Sequence, residues 1–294
     1  MPITVRGNYD EKQTFVVKEI IKLPESIPPS LCRKSQTSRI RIVVAVGPFI
    51  LKDGEVYPVK LVDHAVRWNA DTLIIIGPLL QENDQPSGAM SVKRLFRLFI
   101  KGLSDAVSKQ KLRIIVIPSH CDVNAVDVFP TPPYDVPDDC LAHNVIVLAD
   151  PAIFTIDGVH FAVSASGIVD HLIEQEVLQF QEPENQNQDS ISRAISYMFS
   201  SQSLYPLYPP DKNLKFSTKS KEKVSMTKRP HVLILPSVLK PSIKVVEGCV
   251  CLNPGQFTRL ECAATFTSLE IDLNSASIAL SNSIADHIQV NIIQ

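Results

Sequence analysis

No run of the 294-residue chain approaches the roughly 18 uncharged apolar residues that a bilayer-crossing helix requires, so a membrane span is not expected. The opening residues Met1-Pro2-Ile3-Thr4-Val5-Arg6 lack a basic stretch leading into an apolar core, and no secretory leader is expected. Net charge is nearly absent as well. Lys and Arg number 29 against 31 Asp and Glu, a formal charge of -2, too little to announce a nucleic-acid surface or a polybasic anchor from the chain as a whole. Cysteine occurs six times but without metal-binding spacing. Cys249 and Cys251 are two apart, whereas a zinc knuckle separates its paired ligands by at least two residues and needs a second pair. With Cys32, Cys121, Cys140 and Cys262 they are expected to be mostly buried, reduced thiols of a cytosolic or nuclear protein.

What is present is an ordinary folded composition, 45% apolar and 20% charged, in a chain long enough to bury a sizeable core. The organising stretch is Thr72-Leu73-Ile74-Ile75-Ile76-Gly77-Pro78-Leu79-Leu80. A mostly β-branched apolar run suits a strand covered on both faces, and the Gly-Pro after it stops the ladder because Pro has no donor. Arg41-Ile42-Val43-Val44-Ala45-Val46-Gly47-Pro48 and Arg113-Ile114-Ile115-Val116-Ile117-Pro118 repeat the design. Between these runs, residues 59–69 and 92–107 carry apolar residues at helical spacing. Strand, helix, strand, helix, strand predicts a βαβ core, and the fold class is α/β (α+β).

The second half reads differently. A Pro- and Asp-rich loop covers 127–139, followed by short strands at 145–148, 152–156 and 159–164, with Asp157-Gly158 as a hairpin signal. Helices are expected over 168–180 and 191–199. Further strands are expected at 231–235 and 250–252, then over 263–273, 277–280 and 286–293. Ser203-Leu204-Tyr205-Pro206-Leu207-Tyr208-Pro209-Pro210 cannot be helical, and the basic stretch 211–229, with seven Lys or Arg against one Asp and one Glu, reads as a solvated loop. Two sheets packed face to face with helical outer layers follow. Residues 1–38, with a strand-like run at 14–17 and a proline-rich connector at 23–30, hold too few apolar residues for a core of their own.

The order of strand ends resembles that of the calcineurin-like metallophosphoesterases, in which loops after successive strands supply Asp and His ligands to two metal ions that polarise a phosphate and activate water. Here those places hold Gly47 and Pro48, then Gly77 and Pro78, then Ser119-His120-Cys121-Asp122, then Pro236-Ser237, and finally Asn253-Pro254-Gly255. His120 and Asp122 are the only ligand-capable pair, and two ligands from one loop do not build a binuclear centre. Gly47, Pro48, Gly77, Pro78, Ser119, His120, Asp122, Pro236, Asn253 and Gly255 are therefore expected to line a vestigial, partly closed cleft. For His120 and Asp122 a structural or surface role outweighs metal binding.

Closer still, the chain resembles the B-subunit family of the replicative DNA polymerases, in its alpha branch. The resemblance is carried by Val43-Val44-Ala45-Val46-Gly47-Pro48, Ile75-Ile76-Gly77-Pro78-Leu79-Leu80, Val116-Ile117-Pro118-Ser119 and Phe129-Pro130-Thr131-Pro132-Pro133-Tyr134. It continues through Ser203 to Pro210, Val232-Leu233-Ile234-Leu235-Pro236-Ser237 and Gly248-Cys249-Val250-Cys251-Leu252-Asn253-Pro254-Gly255. Such a family implies a nuclear, non-catalytic accessory subunit of the polymerase alpha-primase complex. It would carry no cofactor, would bind the C-terminal zinc-binding domain of the catalytic subunit and reach primase indirectly, and would support initiation of DNA replication. It also implies that residues 1–38 are the end of an oligonucleotide/oligosaccharide-binding (OB) domain, shortened here by an incomplete sequence or lost, and that 39–294 form an inactive phosphoesterase-like domain. Tyr205, Pro206, Tyr208 and Pro209 are the candidate partner interface, because aromatic and Pro side chains give contact area at low entropy cost. Packing against the domain's own sheet edge is the competing reading of that segment. The alternatives are a divergent metal-dependent phosphodiesterase, or direct binding of single-stranded nucleic acid through the basic stretch.

Overall fold

A computed structural model describes residues 4–21, 38–49, 58–81, 91–137, 140–176, 189–257, 265–274 and 284–293. Its centre is a six-stranded sheet of order β13-β12-β3-β4-β5-β6. The strands are β3 (Arg39–Val46), β4 (Thr72–Ile76), β5 (Arg113–Ile117), β6 (Val145–Val147), β12 (Phe266–Asp272) and β13 (Ile288–Ile293). β3 to β6 run parallel, while β12 pairs antiparallel with both β3 and β13. Facing it is a five-stranded sheet of order β10-β11-β9-β8-β7. It comprises β7 (Ala152–Ile156), β8 (Val159–Val163), β9 (Val232–Ile234), β10 (Ser242–Val246) and β11 (Cys249–Asn253). Helices α1 (Pro58–Arg67) and α2 (Val92–Val107) cover the first sheet, and α3 (Ile168–Glu174) and α4 (Ser190–Ser200) belong to the layer over the second. The result is a two-sheet α/β sandwich flanked by helices, with the architecture of the calcineurin-like fold.

Period-two alternation of side chains assigns each strand to two cores. Val43, Ala45, Leu73, Ile75, Ile114 and Val116 meet Leu61, Phe96, Phe99 and Leu103 under the helices. Ile42, Val44, Ile74, Ile76, Ile115 and Ile117 meet Phe161, Val163, Val232, Ile234 and Leu252 between the sheets. A third cluster joins Ala162, Leu233, Cys249 and Cys251 to Ile195, Met198 and Phe199 of α4. Each inner strand is thus buried on both faces, the physical reason for its unbroken apolar run. At the start of α4, the Asp189 side chain accepts from Ser192 N–H at 3.1 Å, satisfying one of the four donors that a helix start leaves free.

Several expectations need correction. The first described segment is a hairpin, β1 (Thr4–Tyr9) with β2 (Phe15–Ile21), where the sequence points only to 14–17. β10 is unexpected. It pairs with β11 across a turn in which Glu247 (φ 49°) and Gly248 (φ 78°) both adopt the left-handed region, and a non-glycine residue there hides the turn from composition. The helix at 168 ends at Glu174, with Gln175 N–H donating to His171 O (3.3 Å) and Glu176 N–H to Ile173 O (3.2 Å); residues 177–180 of that expectation lie outside those described. Residues 284–287 are a 3-10 turn, so the last strand starts at Ile288. The strand expected at 277–280 lies outside the described residues. The stretch 211–229 is not merely solvated: Leu214, Val224 and Met226 are buried, and Thr218–Val224 forms a 3-10 segment.

Candidate functional site

The loops that follow β3, β4 and β5 meet at one end of the central sheet, because parallel neighbours deliver their C-terminal ends together. Gly47 N–H donates to Ile76 O (2.8 Å), Gly77 N–H to Ile117 O (2.8 Å) and Phe49 N–H to Leu79 O (3.0 Å), so the ladder continues past the strand ends. A Cβ on Gly47 would lie 1.7 Å from Pro78 O, and one on Gly77 would lie 2.7 Å from both Ser119 N and the Tyr134 hydroxyl. Backbone packs against backbone at this end of the sheet. Both Gly-Pro bonds are cis, and Gly47, Pro48, Gly77, Pro78 and Ser119 are all buried.

Asp122 knits this end together. Its carboxylate accepts from Leu79 N–H, from the Tyr134 hydroxyl at 2.7 Å and from Asn124 N–H at 2.8 Å, while its own N–H donates to Ser119 O at 3.0 Å. Burial pushes its carboxyl above the usual range, against the hydrogen bonds from Tyr134, Asn124 and Leu79 that favour the anion. The Tyr134 phenol is driven well above its ordinary value, first by burial and then by the Asp122 charge. A carboxylate whose oxygens are engaged by three donor groups is a structural tie. His120 is half-buried, with Nε2 3.2 Å from Cys121 Sγ and Nδ1 buried without a partner. Burial lowers its pKa and raises that of the Cys121 thiol, so neither the imidazolium nor the thiolate is favoured.

Across the cleft, Asn253 organises the remaining strand ends. Its Oδ1 accepts from Ser237 N–H (3.3 Å) and Gly255 N–H (3.1 Å), and its Nδ2 donates to the carbonyls of Leu239 (3.1 Å) and Lys240 (3.3 Å). Gly255 has φ +75°, and a Cβ there would meet Pro241 at 2.6 Å, so glycine is required twice over. Ser237, directly after Pro236, donates its hydroxyl to Asp170 at 2.8 Å. Among the described residues no group of three or more His, Cys, Asp or Glu side chains is placed to hold a metal ion. The binuclear centre that a calcineurin-like fold implies does not fit these residues: backbone closes the first three loops, and Asn253 is committed to the turns beside it.

Two residues at this end carry weight that the sequence did not signal. Asp150, fully buried between β6 and β7, accepts from Ala165 N–H at 2.9 Å, while its second oxygen has no partner. Burial pushes its carboxyl up to about 7. His171 of α3 has Nδ1 3.2 Å from the Tyr205 hydroxyl and Nε2 4.0 Å from Asp211. Neither stands in a run or spacing that marks it in one dimension.

The candidate interface divides. Tyr205 is 3% exposed. Its ring packs against Phe129 (centroids 5.4 Å apart) and Phe216 (5.6 Å), and its hydroxyl accepts from Asp211 N–H at 3.1 Å. It belongs to the domain core, so its assignment to a partner surface is corrected: a large ring with a satisfied hydroxyl gains more from this pocket than from solvent. Tyr208 is 82% exposed, Pro209 is exposed, and Pro206 is half-buried.

Fold and site together define a class: a two-sheet α/β sandwich flanked by helices whose strand-end loops are tied to one another by backbone contacts. A family model for the B subunit of DNA polymerase alpha/epsilon matches residues 42–244, and the chain belongs to that family. It is 30% identical over 263 residues to the B subunit of DNA polymerase alpha from Drosophila melanogaster, covering 86% of this chain and 41% of that protein. It is 28% identical over 297 residues to the Schizosaccharomyces pombe counterpart (92% and 50%) and 25% identical over 302 residues to that of Caenorhabditis elegans (99% and 51%). The chain thus spans about half the length of these relatives or less. Solved structures that overlap with it include a novel archaeal phosphodiesterase (11% identical, 86% of this chain, 100% of that chain, TM-score 0.40). Another is Vps29 of Chaetomium thermophilum (11%, 87% of this chain, 97% of that chain, TM-score 0.36); the functional reading rests on neither.

Proposed function

We propose that this chain is a non-catalytic accessory subunit of the DNA polymerase alpha-primase complex. It binds the C-terminal zinc-binding domain of the catalytic subunit, through it associates with primase, and supports initiation of DNA replication in the nucleus. The observation that supports the reading is membership of the polymerase B-subunit family, together with strand ends at which Gly47 packs against Pro78 O and, among the described residues, no metal-capable group of side chains gathers. A scaffold with a sound core and, among the described residues, no group of three or more metal-capable side chains suits a protein that acts by being held in a complex. On this reading residues 39–294 are the inactive phosphoesterase-like domain and residues 1–38 the end of an OB domain. The exposed valines, isoleucines and rings of the β1–β2 hairpin (Val5, Tyr9, Phe15, Val16, Val17, Ile20) support the second part, since a two-stranded hairpin is marginal unless covered.

The proposed docking face includes Pro206, Tyr208 and Pro209. Their loop is fixed from within by the Tyr205 hydroxyl, which joins His171 to Asp211. Co-expression of the full chain with the C-terminal segment of a polymerase alpha catalytic subunit is expected to give a single co-eluting peak. Tyr208→Ala is expected to weaken the complex about tenfold, the scale of a truncated aromatic anchor, with an unchanged unfolding midpoint. Separate elution of the two folded wild-type partners, or manganese-dependent turnover of a nitrophenyl phosphodiester by the purified chain, would overturn the proposal.

A further inference from the structure

Residues 204–224 form a closed excursion from the five-stranded sheet. Its ends meet through Leu204 N–H to Val224 O and Met226 N–H to Gln202 O, both 2.8 Å, beside a bridge between Ser203 and Ser225. Its middle is tied down a second time, by Phe129 N–H to Lys215 O and Ser217 N–H to Phe129 O, again at 2.8 Å. Inside, the rings of Tyr205, Phe216 and Phe129 pack together over buried Leu214. The backbone is therefore fixed and the side chains outside it are displayed at set positions.

Those side chains are basic. The excursion holds five lysines against one Asp and one Glu, in a chain whose formal charge is -2. Lys215 pairs with Asp127. Lys212, Lys219, Lys221 and Lys223 are exposed, and among the described residues none of the four takes part in a salt bridge. Three of them lie on the 3-10 segment Thr218–Val224, interleaved with Thr218 and Ser220. The segment is broken at Ser220 (φ -105°, ψ 19°), so Lys219 precedes the kink and Lys221 and Lys223 follow it on one short exposed stretch. Ammonium groups on long stems reach the successive phosphates of a flexible strand from such positions, and adjacent hydroxyls are ordinary phosphate donors. Nothing in this arrangement offers the apolar pocket that anchors a peptide, which favours a nucleic-acid backbone over an acidic protein segment.

We infer that the 204–224 excursion is a sequence-independent contact for the phosphate backbone of single-stranded nucleic acid, made by Lys212, Lys219, Lys221 and Lys223. The contact uses other side chains of the same excursion than the Pro206, Tyr208 and Pro209 of the docking proposed above, and it does not depend on that docking.

The test is fluorescence anisotropy of the full chain with a labelled oligothymidylate of about 20 nucleotides, titrated across salt concentration. Binding is expected at low salt. The triple variant Lys219→Gln, Lys221→Gln, Lys223→Gln is expected to bind at least about tenfold more weakly, and to lower the slope of log affinity against log salt by about 2, the share of three phosphate contacts. Lys→Arg at the same three positions is expected to retain binding, and equal unfolding midpoints show that all forms are folded. Tyr208→Ala is expected to leave anisotropy unchanged while weakening co-elution with the catalytic subunit, so the two proposals fail separately. No binding by the wild-type chain, an unchanged slope in the Gln variant, or equal displacement by a polyglutamate of matching charge would overturn the inference.

Discussion

The strand-end cleft and the 204–224 excursion treat polar groups in opposite ways. In the cleft almost every polar atom is spent internally: Asp122 on Leu79, Tyr134 and Asn124, and Asn253 on the two turns beside it. In the excursion the ties are made by backbone and rings, and four lysines are left to solvent. The difference separates two roles that an active enzyme of this architecture would combine at its strand ends. Here those ends are tied to one another, and the surface proposed above for binding lies on a loop fixed from behind.

If that contrast is right, changes in the cleft alter stability and leave binding untouched, whereas the lysine changes do the reverse. The largest effect is expected from Asp122→Ala. It strands the Tyr134 hydroxyl and Leu79 N–H in the interior and is expected to cost about 3 kcal/mol in chemical denaturation. A loss under about 1 kcal/mol would show that the carboxylate is dispensable and the cleft less tightly knit than its hydrogen bonds indicate.

A steric version of the same comparison uses two glycines. Gly47→Ala pushes a methyl into Pro78 O and is expected to cost about 2 kcal/mol or more. Gly102→Ala, inside α2 with nothing within 4 Å of the added carbon, is expected to stabilise by up to about 1 kcal/mol. Similar midpoints for both variants would mean that the strand-end loops yield easily.

A pH-dependent effect sharpens the contrast within the cleft. Asp150 is fully buried with fewer donors than Asp122, and although Ala165 N–H and the Ser164 side chain favour its anion, burial pushes its carboxyl up to about 7, above the unfolded value of about 4. The folded form therefore holds a proton that the unfolded chain has already released. This group leaves stability unaffected below about pH 4, lowers it progressively as pH rises towards 7, and leaves the full loss in place above that, with a slope of at most about 1.4 kcal/mol per pH unit. Asp150→Asn is expected to flatten that window in denaturation series between acidic and neutral pH. An unchanged slope would place the proton elsewhere.

Much of the architecture was legible because it follows from local rules. The runs that became β3, β4 and β5 are continuous and β-branched since both faces are covered, and Asp157-Gly158 closes β7 on β8 with the two positive φ values that such a turn demands. β10 escapes notice because Ile243 and Val245 are exposed on an edge strand and its turn begins with a glutamate at positive φ. Tyr205 and Tyr208 show the limit most plainly. Three residues apart in one Pro-rich segment and alike in composition, they carry the same two readings, partner surface or packing on the domain itself, yet one fills the aromatic cluster with Phe129 and the other projects into solvent.

The sequence by itself determined the α/β order, the sharp ends of the strands and the Gly and Pro residues that follow them, because each depends on side-chain type and spacing along a few neighbouring positions. Only the tertiary structure decided which loops press backbone to backbone, which carboxylate finds donors and which keeps a proton, and which lysines stay outside a closed loop. Those outcomes depend on groups brought together from distant parts of the chain, such as Asp122 with Leu79 or Phe129 with Lys215, and on the water excluded between them.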